Sequence, residues 1–356
     1  MKRDTEAVKL KNGAAVFFIL LPFAVVFASL FAGRYDLTLT EVTGALAHFV
    51  RDVSAGIVPG LSAEDPEASG ISAECYSVVT QLRLPRLIAA VFVGAALSAS
   101  GTAYQGIFRN PLVSPGLLGV SAGAGFGAAL AILLFGGGTA SYVLAFAFGI
   151  GAVLLSYWIA GIYKSVPAIM LVLGGTIVTS AFNALISLMK YVADTDSQLP
   201  AITYWLMGSL ASVGWEGLWA VLPVCVGILV LLCCGWRINV LSMGEREART
   251  LGVDVRWTKR LVIAGATLAT AGAVCLCGSV GWVGLVIPHI SRMIVGHDNR
   301  KLIPVSISLG AAFMAAIDTV SRTLTASELP LSILTSLIGA PFFVFLLKRT
   351  KGGGWK

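Results

Sequence analysis

Ten predominantly apolar runs, each close to the length of a membrane-crossing helix, recur along this chain of 356 residues. They lie near 14–32, 86–107, 115–135, 140–162, 167–189, 217–236, 260–279, 281–296, 302–321 and 330–347. A hydrocarbon core needs about 20 apolar residues per helix, and continuous runs of this kind admit helices and not the short alternating strands of a barrel. Composition agrees, since charged residues make up 12% of the chain, about half the share that covers a soluble domain. An ordinary soluble enzyme is therefore excluded. A nucleic-acid-binding tail is excluded as well, because the net charge of +7 is spread over short loops and forms no basic block. The expected class is an all-α polytopic membrane protein, a single transmembrane domain over 1–356 with about ten spans. Pro115, Pro288 and many glycines in the third and eighth runs predict short or broken helices there.

The basic residues Lys2, Arg3, Lys9 and Lys11 ahead of the first run would also suit a secretory signal. The apolar stretch is long for such a signal and no A-x-A site closes it, so a retained anchor is expected. Cys75 alone among the six cysteines lies outside the runs or their edges, and no CxxC pair occurs; the thiols read as small apolar membrane residues, with no metal site implied. With ten spans and both ends cytoplasmic, 19 of the 25 Lys and Arg fall inside. The outside keeps Arg34, Arg51, Arg83, Arg86, Lys190 and Arg322 beside Glu64, Asp65, Glu67, Glu74, Asp194 and Asp196. That asymmetry has the sense of the positive-inside rule.

An internal echo links the two halves. Gly94–Gly101 (GAALSASG) aligns without a gap on Gly265–Gly272 (GATLATAG), with four of eight positions identical. The copies are five spans apart, so they cross in opposite directions, as in an inverted-topology repeat; chance similarity between two Gly/Ala-rich helices is the alternative. Gly119, Gly123 and Gly127 have the GxxxG spacing that lets helices approach closely in lipid.

Three stretches carry polar chemistry. The charged segment 237–260 has capping-box spacing in Ser242-Met243-Gly244-Glu245, an i,i+4 pair in Glu245 and Arg249, and a C-cap glycine in Gly252 after Leu251. It predicts a short helix outside the bilayer, either a solvated connector or a docking element for a cytoplasmic partner. On the other side, Arg83 and Arg86 flank Pro85 at the mouth of the second span, and Arg322 ends the ninth. An outward trio of guanidiniums suits an anionic ligand or the carboxylates of a protein. The competing reading is interfacial snorkelling, with an internal Asp318–Arg322 pair. The fifth span offers Thr176, Thr179, Ser180 and Asn183 at helical spacing, a face that bonds neighbouring helices or lines a pathway. No HExxH or P-loop occurs, and His48, His289 and His297 are isolated in sequence. ATP hydrolysis, if used, belongs to another chain.

The runs RLPRLIAAVFVGAALSASGTAYQGIFRNPLVSPGLLGVSAGAG (83–125), YWLMGSL (204–210), LGVD (251–254), GLVIPHISR (284–292) and ELPLSILTSLIGAPFFVFLL (328–347) closely resemble the permease subunit of type II ABC importers, the group that takes up ferric siderophores, haem and vitamin B12. The resemblance runs from about residue 80 onward. It implies a homodimer of ten-span subunits in a bacterial or archaeal inner membrane, with both termini cytoplasmic. It also implies two cytoplasmic ATPase subunits that hold ATP and Mg, an extracytoplasmic binding protein, and no cofactor on this chain. In that light Arg83, Arg86 and Arg322 are expected to receive carboxylates of the binding protein. Ser242, Glu245, Arg246, Glu247, Arg249, Leu251, Gly252 and Asp254 are expected to couple to the ATPase, and Thr176, Thr179, Ser180 and Asn183 to line the path. The departure is residues 33–82, long and acidic, expected as an extracytoplasmic loop with Glu64-Asp65-Pro66-Glu67 at its flexible centre. The function expected is alternating-access import of an iron chelate. A corrinoid is the alternative cargo, and an ATP-independent transporter or channel the alternative class.

Overall fold

The structure, a computed structural model, describes residues 12–54, 71–162 and 168–349, and all regular structure among them is helical. The first run is α1 (Asn12–Phe31). The expected loop that follows is only partly a loop: it contains α2 (Leu39–Ser54) and α3 (Ala73–Ser77), the latter passing through a π turn, Val78–Arg83, into α4 (Leu84–Phe108). The cause of α2 is a capping box in Thr38 and Glu41. The Thr38 N–H donates to Glu41 Oε2 at 2.7 Å, and the Glu41 N–H donates to Thr38 Oγ1 at 3.4 Å. Val42 and Ala45 then bury one face of the helix. Glu64–Glu67 lie outside the described residues.

The remaining runs become α5 (Val120–Phe135), α6 (Thr139–Gly161), α7 (Ala168–Val192), α9 (Val221–Cys233), α12 (Val255–Cys277), α13 (Val283–Val295), α14 (Asn299–Thr323) and α15 (Leu331–Arg349). Between them lie three short helices that hydropathy did not announce: α8 (Gln198–Met207), α10 (Gly235–Met243) and α11 (Glu245–Thr250). Among the described residues seven helices are long and apolar enough to cross a membrane, and shorter apolar helices in α5, α13 and α15 account for the other three expected spans. The third run is short for the reason foreseen. Pro115 opens a 3-10 turn, and Gly119 at φ 87° resets the chain before α5 begins.

The two helices that carry the sequence echo are the central ones. Most of α4 and α12 is buried, and they run antiparallel. Ala89–Leu97 share one core with Ala269–Cys277, while Ala99–Ile107 share a second with residues that include Val255, Val262 and Ala266. The inverted direction expected of the two copies is thus present. Their glycines serve contact: a Cβ on Gly101 would lie 1.9 Å from the Gly284 carbonyl oxygen, and one on Gly272 would meet Val224 at 2.6 Å. Lipid gives no hydrophobic drive between helices, so such close backbone approach supplies the dispersion that holds the bundle.

Candidate functional site

One end of the bundle contains a buried charge cluster. Asp318, fully buried on α14, receives Arg86 Nε at 2.8 and 3.0 Å on its two oxygens and has Arg322 Nε at 3.9 Å. Arg86 Nη1 also donates to Glu328 Oε1 at 2.8 Å. Arg83 donates to the carbonyls of Leu30 and Tyr35, and Arg322 to that of Ser29. These contacts correct the expectation of an outward trio: Arg83, Arg86 and Arg322 are 5%, 8% and 7% exposed. The reason is physical. Ser29 and Leu30 are among the last carbonyls of α1, which lack intrahelical partners and carry the negative end of the helix dipole, and Asp318 inside an apolar helix requires a cation. Arg86 Nη2 and Arg322 Nε remain buried without a hydrogen-bond acceptor.

The polar face of α7 is where the spacing placed it. Thr176, Ser180 and Asn183 are exposed and Thr179 is half-buried. Thr179 and Asn183 line a groove of about 430 Å³ with Ser121, Ser187, Lys190 and Ser279. Thr176 bonds back to the Leu173 carbonyl of its own helix at 2.8 Å, and the groove lining does not include it or Ser180. Ser187 and Lys190 continue the i,i+4,i+7 row from Asn183 and were legible by that spacing; Ser121 and Ser279 come from other elements and were not. Beside this row α7 exposes Leu173, Ile177 and Leu188, so in this single chain a mixed apolar and polar surface of α7 is left without a protein partner among the described residues.

The charged segment 237–260 differs in detail from its sequence reading. Ser242 does not cap the helix after it; it sits in the last turn of α10, and its hydroxyl donates to the Asn239 carbonyl at 2.6 Å. Gly244, at φ 147°, precedes α11 in place of a side-chain cap. Glu245 does not reach back. It accepts Lys259 Nζ at 2.5 Å and has Arg249 at 3.9 Å, the expected i,i+4 pair. The bonded Lys259 ammonium holds its carboxyl below the ordinary value of 4.5. Gly252 has φ 76° and closes α11 as expected, while Asp254 caps α12 by accepting the Trp257 N–H at 3.0 Å. Ala248 and Val253 anchor the turn in the core, and Arg246, Glu247, Arg249 and Leu251 project from it exposed. The result is a braced knob whose outer face is charged around Met243 and Leu251, which are 65% and 56% exposed.

The model of the FecCD transport family matches residues 20–349. The molybdate import system permease of Haemophilus influenzae is 43% identical over 78% of this chain and 82% of its own length. The cobalamin import system permease of Halobacterium salinarum is 42% identical over 85% and 82%. The haemin transport system permease of Yersinia pestis is 38% identical over 78% and 84%. Among solved structures, an inward-facing conformation of a putative metal-chelate type ABC transporter superposes with a TM-score of 0.80 at 37% identity, covering 95% of this chain and all of that one.

Proposed function

The chain belongs to the FecCD transport family and is an inner-membrane permease subunit of an ABC importer; from that premise we propose that its cargo is an iron chelate, a ferric siderophore or haem, moved inward by alternating access. The observation that carries this reading is the near-complete match to a metal-chelate permease, together with a groove on α7 that offers hydroxyl, amide and ammonium groups and no acidic residue in its lining. Such a lining suits a large chelate that arrives already coordinated, because the wall need not ligate the metal. We place the path at the twofold axis of a homodimer: the exposed α7 face, with Leu173, Ile177 and Leu188 beside the polar row, is the surface that a second copy would cover.

ATPase and binding-protein partners go with the family in general, and we assign their places. The α10–α11 knob couples to two ATPase subunits on the cytoplasmic side, where ATP is hydrolysed, and both termini lie on that side. The binding protein docks at the outer end. There the two acceptorless donors, Arg86 Nη2 and Arg322 Nε, favour an incoming carboxylate, since buried donors without acceptors cost about 1–3 kcal/mol each. Docking then means that a partner carboxylate competes with Glu328 for Arg86.

The test is a mild-detergent pull-down of the tagged chain from its host, with an absorption spectrum and metal analysis of any ligand on the co-purifying binding protein. A haem or ferric-siderophore spectrum supports the cargo. A corrinoid spectrum, or molybdenum without a chromophore, replaces the cargo and keeps the import mechanism. Substrate movement by the chain alone in liposomes refutes coupling to ATP.

A further inference from the structure

A cavity of about 500 Å³ lies between α5, α6, α8, α12 and the 3-10 turn Trp215–Ala220, and none of the roles above uses it. Its surroundings are predominantly negative. Helices α5, α8 and α12 all end at its wall: the lining holds Gly136, the C-cap of α5, Trp205 and Ser209 on either side of the α8 terminus, and Gly278, the C-cap of α12. A helix C-terminus carries about half a negative charge on its last carbonyls. One helix opposes them, since the first turn of α6, with Thr139 and Tyr142, also borders the cavity. Glu216 adds a full negative charge from the 3-10 turn. It is exposed, and among the described residues its carboxylate has no ion-pair or hydrogen-bond partner. The lining contains no Lys, Arg or His.

Three aromatic side chains complete the wall, Tyr142, Tyr204 and Trp205. The hydroxyl of Tyr204 donates to Ser209 Oγ at 3.2 Å, and that of Tyr142 stands 3.5 Å from the Ser212 carbonyl oxygen, so both rings are held at their tips. Ring quadrupoles attract cations, guanidinium and ammonium groups above all. A free carboxylate, three negative helix ends and an aromatic wall together select an organic cation. The place of the cavity in the fold says which one. Trp215 Nε1 donates at 2.9 Å to the carbonyl of Thr80, just ahead of Arg83, and the Leu331 N–H, just after Glu328, donates at 2.9 Å to the Gly208 carbonyl. The cavity therefore sits beside the Asp318 cluster, at the same end of the bundle.

We propose, building on the docking of the binding protein at this end, that the cavity receives a lysine or arginine side chain of that protein while a partner carboxylate meets Arg86 and Arg322. Two neighbouring sites of opposite sign set the orientation of the partner, because a reversed arrangement brings like charges together at both. A guanidinium cluster alone attracts an acidic partner in any rotation.

The experiment measures affinity between the permease, with its ATPase subunits in nanodiscs, and the binding protein that co-purifies with it. Glu216→Gln should weaken association about fivefold at low salt, with a smaller effect at high salt. Tyr204→Leu should weaken it about threefold, while Tyr204→Phe, which keeps the ring and loses the bond to Ser209, should stay within about twofold of the wild type. Each exposed Lys and Arg of the binding protein is then replaced by Ala; one of these changes should weaken binding to the wild type and have no further effect on Glu216→Gln. Unchanged affinity in Glu216→Gln overturns the proposal, as does a loss that couples to no basic residue of the partner. Competition by tetramethylammonium or arginine amide, with no such coupling, would make the cavity a site for a free small cation instead. A wild type that associates with no binding protein removes the docking reading and this one with it. Association weakened by Arg322→Gln and untouched by Glu216→Gln sinks the cavity assignment alone.

Discussion

Replacing Asp318 by Asn keeps the shape of the side chain and removes its charge from a site that is wholly buried. Arg86 would keep Glu328 at 2.8 Å, but both Nε contacts at 2.8 and 3.0 Å would become at best one neutral hydrogen bond. Arg322 would lose the Asp318 carboxylate, at 3.9 Å. Removing one partner of a buried ion pair leaves an uncompensated charge and costs about 3–5 kcal/mol. A chain of this size loses about 2 °C of melting temperature per kcal/mol, so the expected drop is about 6–10 °C, read by thermal scanning of the permease in nanodiscs. The mechanism makes a second, sharper claim. Arg86→Met combined with Asp318→Leu removes both charges and should cost less than the sum of the single changes by at least about 2 kcal/mol, because neither charge is then left alone. Glu328→Gln, at a partly exposed carboxylate, should cost under about 1 kcal/mol. A drop below about 2 °C for Asp318→Asn, or additive single changes, would refute the view that burial of the pair sets the energetics of this end.

Glu328→Gln should also tighten association with the binding protein, since it frees Arg86, whereas Arg322→Gln should weaken it; surface-immobilised binding at low and high salt reads both, and a Glu328→Gln effect of the opposite sign counts against competition for Arg86. Gly101→Ala places a Cβ 1.9 Å from the Gly284 oxygen and should cost about 1–3 kcal/mol through separation of α4 from α13, while Gly151→Ala, with nothing within 4 Å, should stabilise α6 by about 0.5–1 kcal/mol; equal melting temperatures would contradict the close-approach argument. The Glu245 carboxyl is held below 4.5 in the folded chain, so its brace to Lys259 is fully present above that pH and is lost as pH falls through the lowered value. Glu245→Gln should remove about 0.2–1 kcal/mol at pH 7 and flatten ATPase association between pH 5 and pH 3.5. Thr179→Leu with Asn183→Leu should abolish uptake in proteoliposomes without changing the melting temperature; a fall in stability would mean that the pair bonds helices and does not line the path.

Hydropathy alone determined the helical bundle, its ten apolar segments and the shortness of the third and eighth, because in lipid the length of an apolar run and the placement of Pro and Gly leave few alternatives. The same is true of the polar row on α7 and of the antiparallel kinship of α4 and α12, since helical spacing and span parity are properties of the chain itself. Family motifs supplied the importer reading. Tertiary structure decided what depends on distant partners. Arg83 and Arg322 reach the carbonyls of Leu30 and Ser29, some 50 and 290 residues away, and no local pattern says that the end of α1 lies within their reach. Ser242 and Glu245 have the spacing of a capping box but are drawn off to Asn239 and Lys259, whereas Thr38 and Glu41, with the same spacing, do cap α2.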